Sequence, residues 1–317
     1  MSCSEACADD TNGQTCYICT QALHWKTKEG LVRGCACRGT AGFAHVSCLA
    51  EQAKILVAEA EENKLSSKVT TERWYRWGIC SLCEQQYHGV VFCALGWACW
   101  KTYVGRPETN RIRGMAMNVL GNGLTAAEHY EKAASVEEAF LSMSRRVGAS
   151  LEHMLITQGN LASTYARLGH LEKALSMERD VYSGRLRLVG EEHEHTLGAA
   201  LNYALSLAQL KRFAEAKALF RKTIPVARRV CGESNDLTLR MGFIYAKALY
   251  KDPGATIDDL REAVTTLEEA APHARRVLGG AHPTTVEVEQ SLRTARAALG
   301  ARSVCEAMAA MTPPGDA

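Results

Sequence analysis

From residue 106 to residue 300 the apolar and small positions fall in helix-length stripes, and the whole pattern repeats. Gly148, Gly190 and Gly232 stand 42 residues apart, each after a Val or Cys that closes an apolar run, and Gly279 follows 47 later. The five extra residues match the break at Lys251-Asp-Pro-Gly254. Asn118, Asn160 and Asn202 keep the same step, as do Ala162, Ala204 and Ala246. Ala133, Ala174, Ala216 and Ala263 follow at 41, 42 and 47. A fixed period of this length is the sequence signature of a solenoid. Each unit reads as two helices. In the second unit these are about 151–167 and 171–188, with a turn at Leu168-Gly-His170 and a glycine C-cap at Gly190. Pro283 sits where a helix of the last unit would begin. The recurring alanines mark places where two helices approach closely.

Ahead of the repeat lies an apolar run, Gly89 to Trp100, of twelve residues. It is too short to cross a bilayer and reads as a buried helix joining the N-terminal segment to the repeats. The chain of 317 residues predicts two domains, and its net charge of +2 does not favour a nucleic-acid partner. Eleven of thirteen cysteines precede residue 105, leaving Cys231 and Cys305. The start, Met1-Ser-Cys-Ser-Glu5, lacks the basic and apolar parts of a signal peptide. Cysteine-rich chains in a reducing compartment use thiols for metal more than for disulfides. The expectation is therefore a soluble protein of the cytoplasm or nucleus, with no membrane span.

Seven of those cysteines and one histidine form four close pairs: Cys16/Cys19, Cys35/Cys37, His45/Cys48 and Cys80/Cys83. Thiolate and imidazole are the ligands Zn²⁺ prefers, and eight of them make two closed, structural four-ligand sites. About ninety residues cannot build a large core alone. Zinc ligation supplies on the order of 10–16 kcal/mol of folding free energy per site. Cys3, Cys7, Cys93 and Cys99 read as spare or buried thiols. Spacing alone does not say which pairs share an ion.

The ligand order, with one residue between Cys35 and Cys37 and seven between Cys37 and His45, resembles the RING-CH family. A PHD finger shares the order but usually has a wider third-to-fourth gap and a shorter run to the histidine; a MYND finger fits worse. The resemblance implies a cross-brace. Cys16, Cys19, His45 and Cys48 would share one zinc, and Cys35, Cys37, Cys80 and Cys83 the other. It also implies docking of a ubiquitin-conjugating enzyme at the apolar residue before the second ligand, Ile18, and at the second zinc loop near Leu82. Such a module supplies no nucleophile or base. Three positions depart from the family. The segment Leu49–Leu56 lacks the usual tryptophan, although Trp74 and Trp77 come later; Cys80-Ser-Leu-Cys83 lacks proline; and Glu84 stands where active ligases often carry a basic residue.

The repeats resemble tetratricopeptide repeats of the 42-residue kind found in kinesin light chains. The likeness is carried by Asn160-Leu-Ala162, Asn202-Tyr-Ala204 and Leu278-Gly-Gly-Ala-His-Pro-Thr-Thr285; the third unit has Ile244-Tyr-Ala246 instead. It implies a groove for a protein or peptide ligand, with Asn118, Asn160 and Asn202 pairing to its backbone. The same asparagines could instead bond the neighbouring helix. Arg145, Arg187, Arg229 and Arg276 form a column that complements helix C-termini and reads as a solvated face. His193 and His195 read as loop or cap residues rather than metal ligands. No catalytic constellation or organic cofactor site is evident.

The fold class expected is mostly α: a small two-zinc cross-brace followed by an α-solenoid. The divisions are 1–14 (disordered tail), 15–88 (zinc finger), 89–105 (connecting helix), 106–300 (repeats) and 301–317 (tail). The function expected is a RING-CH ubiquitin ligase or ligase subunit whose repeats select substrates. The alternatives are a non-enzymatic interaction scaffold and a PHD-like histone-tail reader, the last kept open by Trp77 near Cys80.

Overall fold

A computed structural model describes residues 11–278 and 283–311. Cys3, Cys7, Gly279 and His282 lie outside the described residues. The chain forms two compact units, one up to Gly169 and one from His170.

In the first unit the cysteine-rich segment has little regular structure. Among the described residues its pairing is limited to two isolated antiparallel bridges, Val32 with Ala44 and Ile79 with Gln86. α1 (Val46–Glu62) starts at the third ligand pair, and α2 (Ser67–Trp74) runs into a 3-10 turn at Tyr75–Trp77. Ser66 caps α2 through its hydroxyl, which accepts from the Val69 amide. The apolar run forms α3 (Gly89–Tyr103), buried as expected, with Leu95 and Cys99 at 0 % exposure. α3 has two partners. Val91, Phe92 and Leu95 join the core beside the zinc ligands, and Cys93 packs with Leu120 and Leu124 of the next helix.

That helix is α4 (Arg111–Ala126), followed by α5 (Tyr130–Arg146) and α6 (Leu151–Arg167). α3 and α4 cross through glycine. A Cβ on Gly123 would lie 2.8 Å from the Phe92 carbonyl oxygen, and one on Gly96 3.0 Å from that of Val119. The two backbones therefore touch, so the cysteine-rich segment and the first repeat helix share one packed core.

The second unit holds α7 (Leu171–Val189), α8 (Glu194–Gln209), α9 (Phe213–Cys231), α10 (Asp236–Lys251), α11 (Ile257–Leu278) and α12 (Pro283–Met311). The sequence-expected helices 151–167 and 171–188 correspond to α6 and α7, and Pro283 opens α12. α12 runs past residue 300 because no strong breaker occurs before Pro313. The period of the sequence is a period of structure. Gly148, Gly190 and Gly232 have φ of +67°, +82° and +91°, a region side chains disfavour. The alanines that recur in the second helix of each unit, Ala133, Ala174, Ala216 and Ala263, are all fully buried.

Four of the first helices are capped: α4 by Asn110, α6 by Ser150, α8 by His193 and α10 by Asn235. Another column escaped the sequence reading although it keeps the 42 and 47 steps. Thr196, Thr238 and Thr285 are buried, and each hydroxyl donates to a backbone carbonyl of the preceding unit: Gly190, Ala227 and Ala274. At the break after α10, Lys217 bonds Asp252 at 2.8 Å and Asp259 at 3.0 Å, and Arg221 bonds Asp259 and Glu262. The inserted Asp252 thus anchors the irregular connection.

Candidate zinc centres and repeat surface

Two of the ligand pairs lie on twin turns. The Cys16 amide donates to Gln21 O and the Thr20 amide to Cys16 O; Cys80 with Gln85, and Glu84 with Cys80, repeat this. Thr20 and Glu84 occupy the same left-handed place, at φ +62° and +56°. In each turn a backbone amide points at the first sulfur: Ile18 N to Cys16 Sγ and Leu82 N to Cys80 Sγ, both 3.4 Å. An amide donated to sulfur favours the thiolate, the form that binds metal.

The third pair is set by α1. His45 is its N-cap residue and Cys48 lies in its first turn, three residues on, so both project to one side. His45 Nδ1 sits 3.4 Å from Cys19 Sγ and 3.6 Å from Cys48 Sγ, while Nε2 lies 3.3 Å from the Ala22 carbonyl. That carbonyl fixes the tautomer: Nε2 carries the proton and donates it, and the Nδ1 lone pair faces the sulfurs. Cys16, Cys19, His45 and Cys48 bring their ligand atoms within 4.8 Å of one another, and so do Cys35, Cys37, Cys80 and Cys83. These are the two sets of the cross-brace.

Electrostatics calls for a cation in both. Burial pushes the Cys35 thiol up to about 11, against hydrogen bonds from Cys37 and with the help of Cys80, and burial with the neighbouring sulfurs raises Cys37 and Cys48 further. Burial opposes ionisation of Cys83 too, but the Gln85 backbone hydrogen bond and the adjacent sulfurs bring it down to about 7. Crowded sulfurs, three in one set and four in the other, cannot all ionise unless a positive ion offsets their repulsion. Donor sets of three sulfurs with one imidazole and of four sulfurs, both tetrahedral in number and soft in character, fit two Zn²⁺ ions.

Gly42 is part of the second centre and was not singled out in the sequence. Its φ is +84°, and a Cβ there would lie 2.5 Å from Cys37 Cβ and 2.9 Å from Cys37 Sγ. Its signal was weak, one glycine in a glycine-rich loop.

The Tyr17 hydroxyl lies 3.0 Å from Ser81 Oγ, tying the two turns together, so Ile18 and Leu82 are chain neighbours of one hydrogen bond. Ile18 is half-buried and Leu82 is 51 % exposed. Trp74 and Trp77 pack against α1, the helix that lacks the family's usual tryptophan. They are buried with Tyr103 against Ala53 and Val57 of α1, and Trp77 is 1 % exposed. That burial also removes the aromatic feature that had kept the histone-tail reading open. Arg76 reaches the same centre, donating to the Cys80 carbonyl at 3.2 Å.

On the repeats, Asn118 (α4), Asn160 (α6) and Asn202 (α8) are half-buried. The Asn160 amide donates to Asn118 Oδ1 at 2.9 Å and to Asn122 Oδ1 at 3.1 Å, so both its N–H bonds are engaged within the first unit. Asn122 was missed by the sequence reading because no later unit repeats it. Arg145, Arg187, Arg229 and Arg276 are exposed, and Arg229 pairs with Glu192. His193 Nδ1 accepts the His195 amide as a cap. Among the described residues no helix is long and apolar enough to cross a membrane.

Comparison with known proteins agrees with these two parts. The RING-variant domain family matches residues 16–83, and a tetratricopeptide repeat family matches 155–195 and 196–236. None of the curated proteins compared with the chain matches it. Among solved structures the chain is similar to BtubC (BKLC) from P. vanneervenii, at 14 % identity and TM-score 0.47, covering 86 % of this chain and 96 % of that one. It is also similar to the nearly identical TPR-like repeats of a putative kinesin light chain from Podosopora anserina, at 17 % identity and TM-score 0.47, covering 73 % and 97 %. The chain thus carries a RING-variant domain with two zinc sites, followed by tetratricopeptide repeats.

Proposed function

We propose that the protein is a ubiquitin ligase, or a ligase subunit, whose repeats present a substrate. The observation that supports this reading is the Tyr17–Ser81 bond, which joins the two zinc turns whose next residues are half-buried Ile18 and exposed Leu82. Two metal-fixed loops joined in this way would offer Ile18 and Leu82 to a ubiquitin-conjugating enzyme. The module itself supplies no nucleophile. A lysine amine of the substrate attacks the thioester carbonyl of the charged enzyme; the carbon–sulfur bond breaks, an isopeptide bond forms, and the thiol leaves. The substrate, a protein or extended peptide, would lie along the repeats at Asn118, Asn160 and Asn202. Zinc-bound thiolates suit a reducing compartment, cytoplasm or nucleus.

The test is ubiquitin transfer across a panel of conjugating enzymes. At least one charged enzyme should discharge faster with the protein present, and Ile18→Ala should slow it with zinc content unchanged. A second reading, an interaction scaffold without transferase activity, is favoured by exposed Glu84 and by the lack of a tryptophan in Leu49–Leu56. Glu84→Arg should raise transfer in an active ligase. Inertness of wild type and both variants with every enzyme of the panel establishes the scaffold.

A further inference from the structure

Two ionisable side chains are buried at one repeat position. The second helix of each unit carries its buried alanine at 133, 174, 216 and 263. Four residues on, the next core position holds Glu137, Glu178, Phe220 and Leu267. All four are buried, at 4 %, 2 %, 0 % and 0 % exposure. The first two units thus place a carboxyl where the last two place a ring and an aliphatic chain.

A second column changes with it. The first helices of the following units carry Thr164, Ser206, Ala248 and Ala295, at steps of 42, 42 and 47, all buried. Glutamate goes with a hydroxyl at this position, and Phe or Leu goes with alanine. Space is made as well. Gly121 of α4 faces Glu137, and a Cβ there would lie 3.1 Å from Glu137 Cγ and 3.3 Å from Oε1.

Among the described residues no cation acts on either acid. From α4 Glu137 meets Gly121, and from α6 the Thr164 hydroxyl is the polar group acting on it; no cation from either helix does. Burial alone acts on Glu178; Arg185, also buried on α7, is not among its influences, and neither is any group of α8. Oε2 of each has no hydrogen-bond partner. A hydroxyl can satisfy a neutral acid but cannot offset a buried carboxylate, which is far more costly to bury.

We propose that Glu137 and Glu178 are held as neutral carboxylic acids in the folded repeats, so that the first two helix pairs loosen as the solution turns alkaline while the third and fourth do not. Burial, slightly eased by Thr164 at Glu137, brings Glu137 up to about 7 and Glu178 up to about 8, from an ordinary 4.5. The folded state therefore binds more protons than the unfolded one above the ordinary value. The stability these acids permit is fully present below that value and is lost as the pH rises through about 7 and then about 8. Each unit of pKa difference is a factor of ten in the unfolding equilibrium.

The experiment uses the full zinc-loaded chain. Denaturant unfolding followed by helix circular dichroism is compared between about pH 6 and about pH 9 for wild type, Glu137→Gln and Glu178→Gln. The wild-type unfolding constant should rise roughly tenfold or more over this range, and each glutamine variant should remove part of the rise. Glu178→Leu, which copies Leu267, provides a variant with no amide to satisfy. Infrared spectroscopy of the native protein near neutral pH gives a direct readout. A carbonyl band of protonated carboxylic acid should be present in wild type and diminished in the Glu178 variants. Equal pH dependence in wild type and variants, or absence of that band, overturns the proposal.

Discussion

The zinc region and the repeats reach stability by opposite routes. Outside α1, α2 and the 3-10 turn the cysteine-rich segment is loops joined by two isolated bridges, and its ligand sulfurs sit in the core itself, with Cys16, Cys35, Cys48 and Cys80 among its buried members. Removing the metal removes the centre of that core. The second unit buries Phe220, Met241, Leu249 and Leu267 around alanine contacts. Within the first unit α3 serves the zinc core on one face and α4 on the other. The lesson is that a region with ordered loops needs a strong local clamp, whereas a region with periodic helices distributes its stability over many weak contacts.

The sharpest way to break this contrast is chelation. Stripping zinc should withdraw on the order of 10–16 kcal/mol per site and unfold the segment up to residue 88, while most helix signal from α7 onward persists. Circular dichroism with metal analysis checks it; a folded protein containing no zinc would refute the metal assignment. Next in size are the glycine contacts. Gly42→Val should release one of the two zincs, because its side chain collides with Cys37 at a positive φ. Gly123→Leu should push α4 off α3 and lower stability by about 1–3 kcal/mol with both zincs retained. If Gly123→Leu melts like wild type, the two regions do not share a core.

A smaller effect separates the two roles of the asparagines. Asn160→Ala deletes two amide hydrogen bonds, each worth roughly 0.5–1.5 kcal/mol net. If their duty is to hold the repeats, the melting temperature falls and binding per folded molecule is unchanged. If they bind a peptide, the double variant Asn160→Ala, Asn202→Ala loses affinity about tenfold or more with little change in melting. The smallest effect is expected from Arg187→Ala, an exposed member of the arginine column, which should change stability by no more than about 0.5 kcal/mol. A larger loss, or lost binding of an acidic ligand, would contradict the solvated-face reading.

Much of the molecule was legible in the chain. Ligand pairs show in sequence because a tetrahedral site needs close pairs of cysteine or histidine, as at Cys16/Cys19. Repeat columns show because a stacked unit must return the same residue to the same place, as at Gly190 and Gly232. Trp74 and Trp77 illustrate the limit: the sequence shows only that they come later, and their burial is set by packing against α1 and α3. Asn122 was silent for a related reason, being partnered across helices without being repeated.

The sequence alone determined the two-zinc donor set, the helix pairs and their 42-residue step, because these depend on local spacing and on periodicity. Only the tertiary structure decided that α3 and α4 touch through Gly96 and Gly123, that Tyr17 joins the zinc turns, that Gly42 lies against Cys37, and that Glu137 lies sealed against Gly121. Each of these depends on the distance between groups far apart along the chain. Such distances are set by the packing of whole elements, and a glycine or a glutamate carries no mark of its neighbours until that packing is formed.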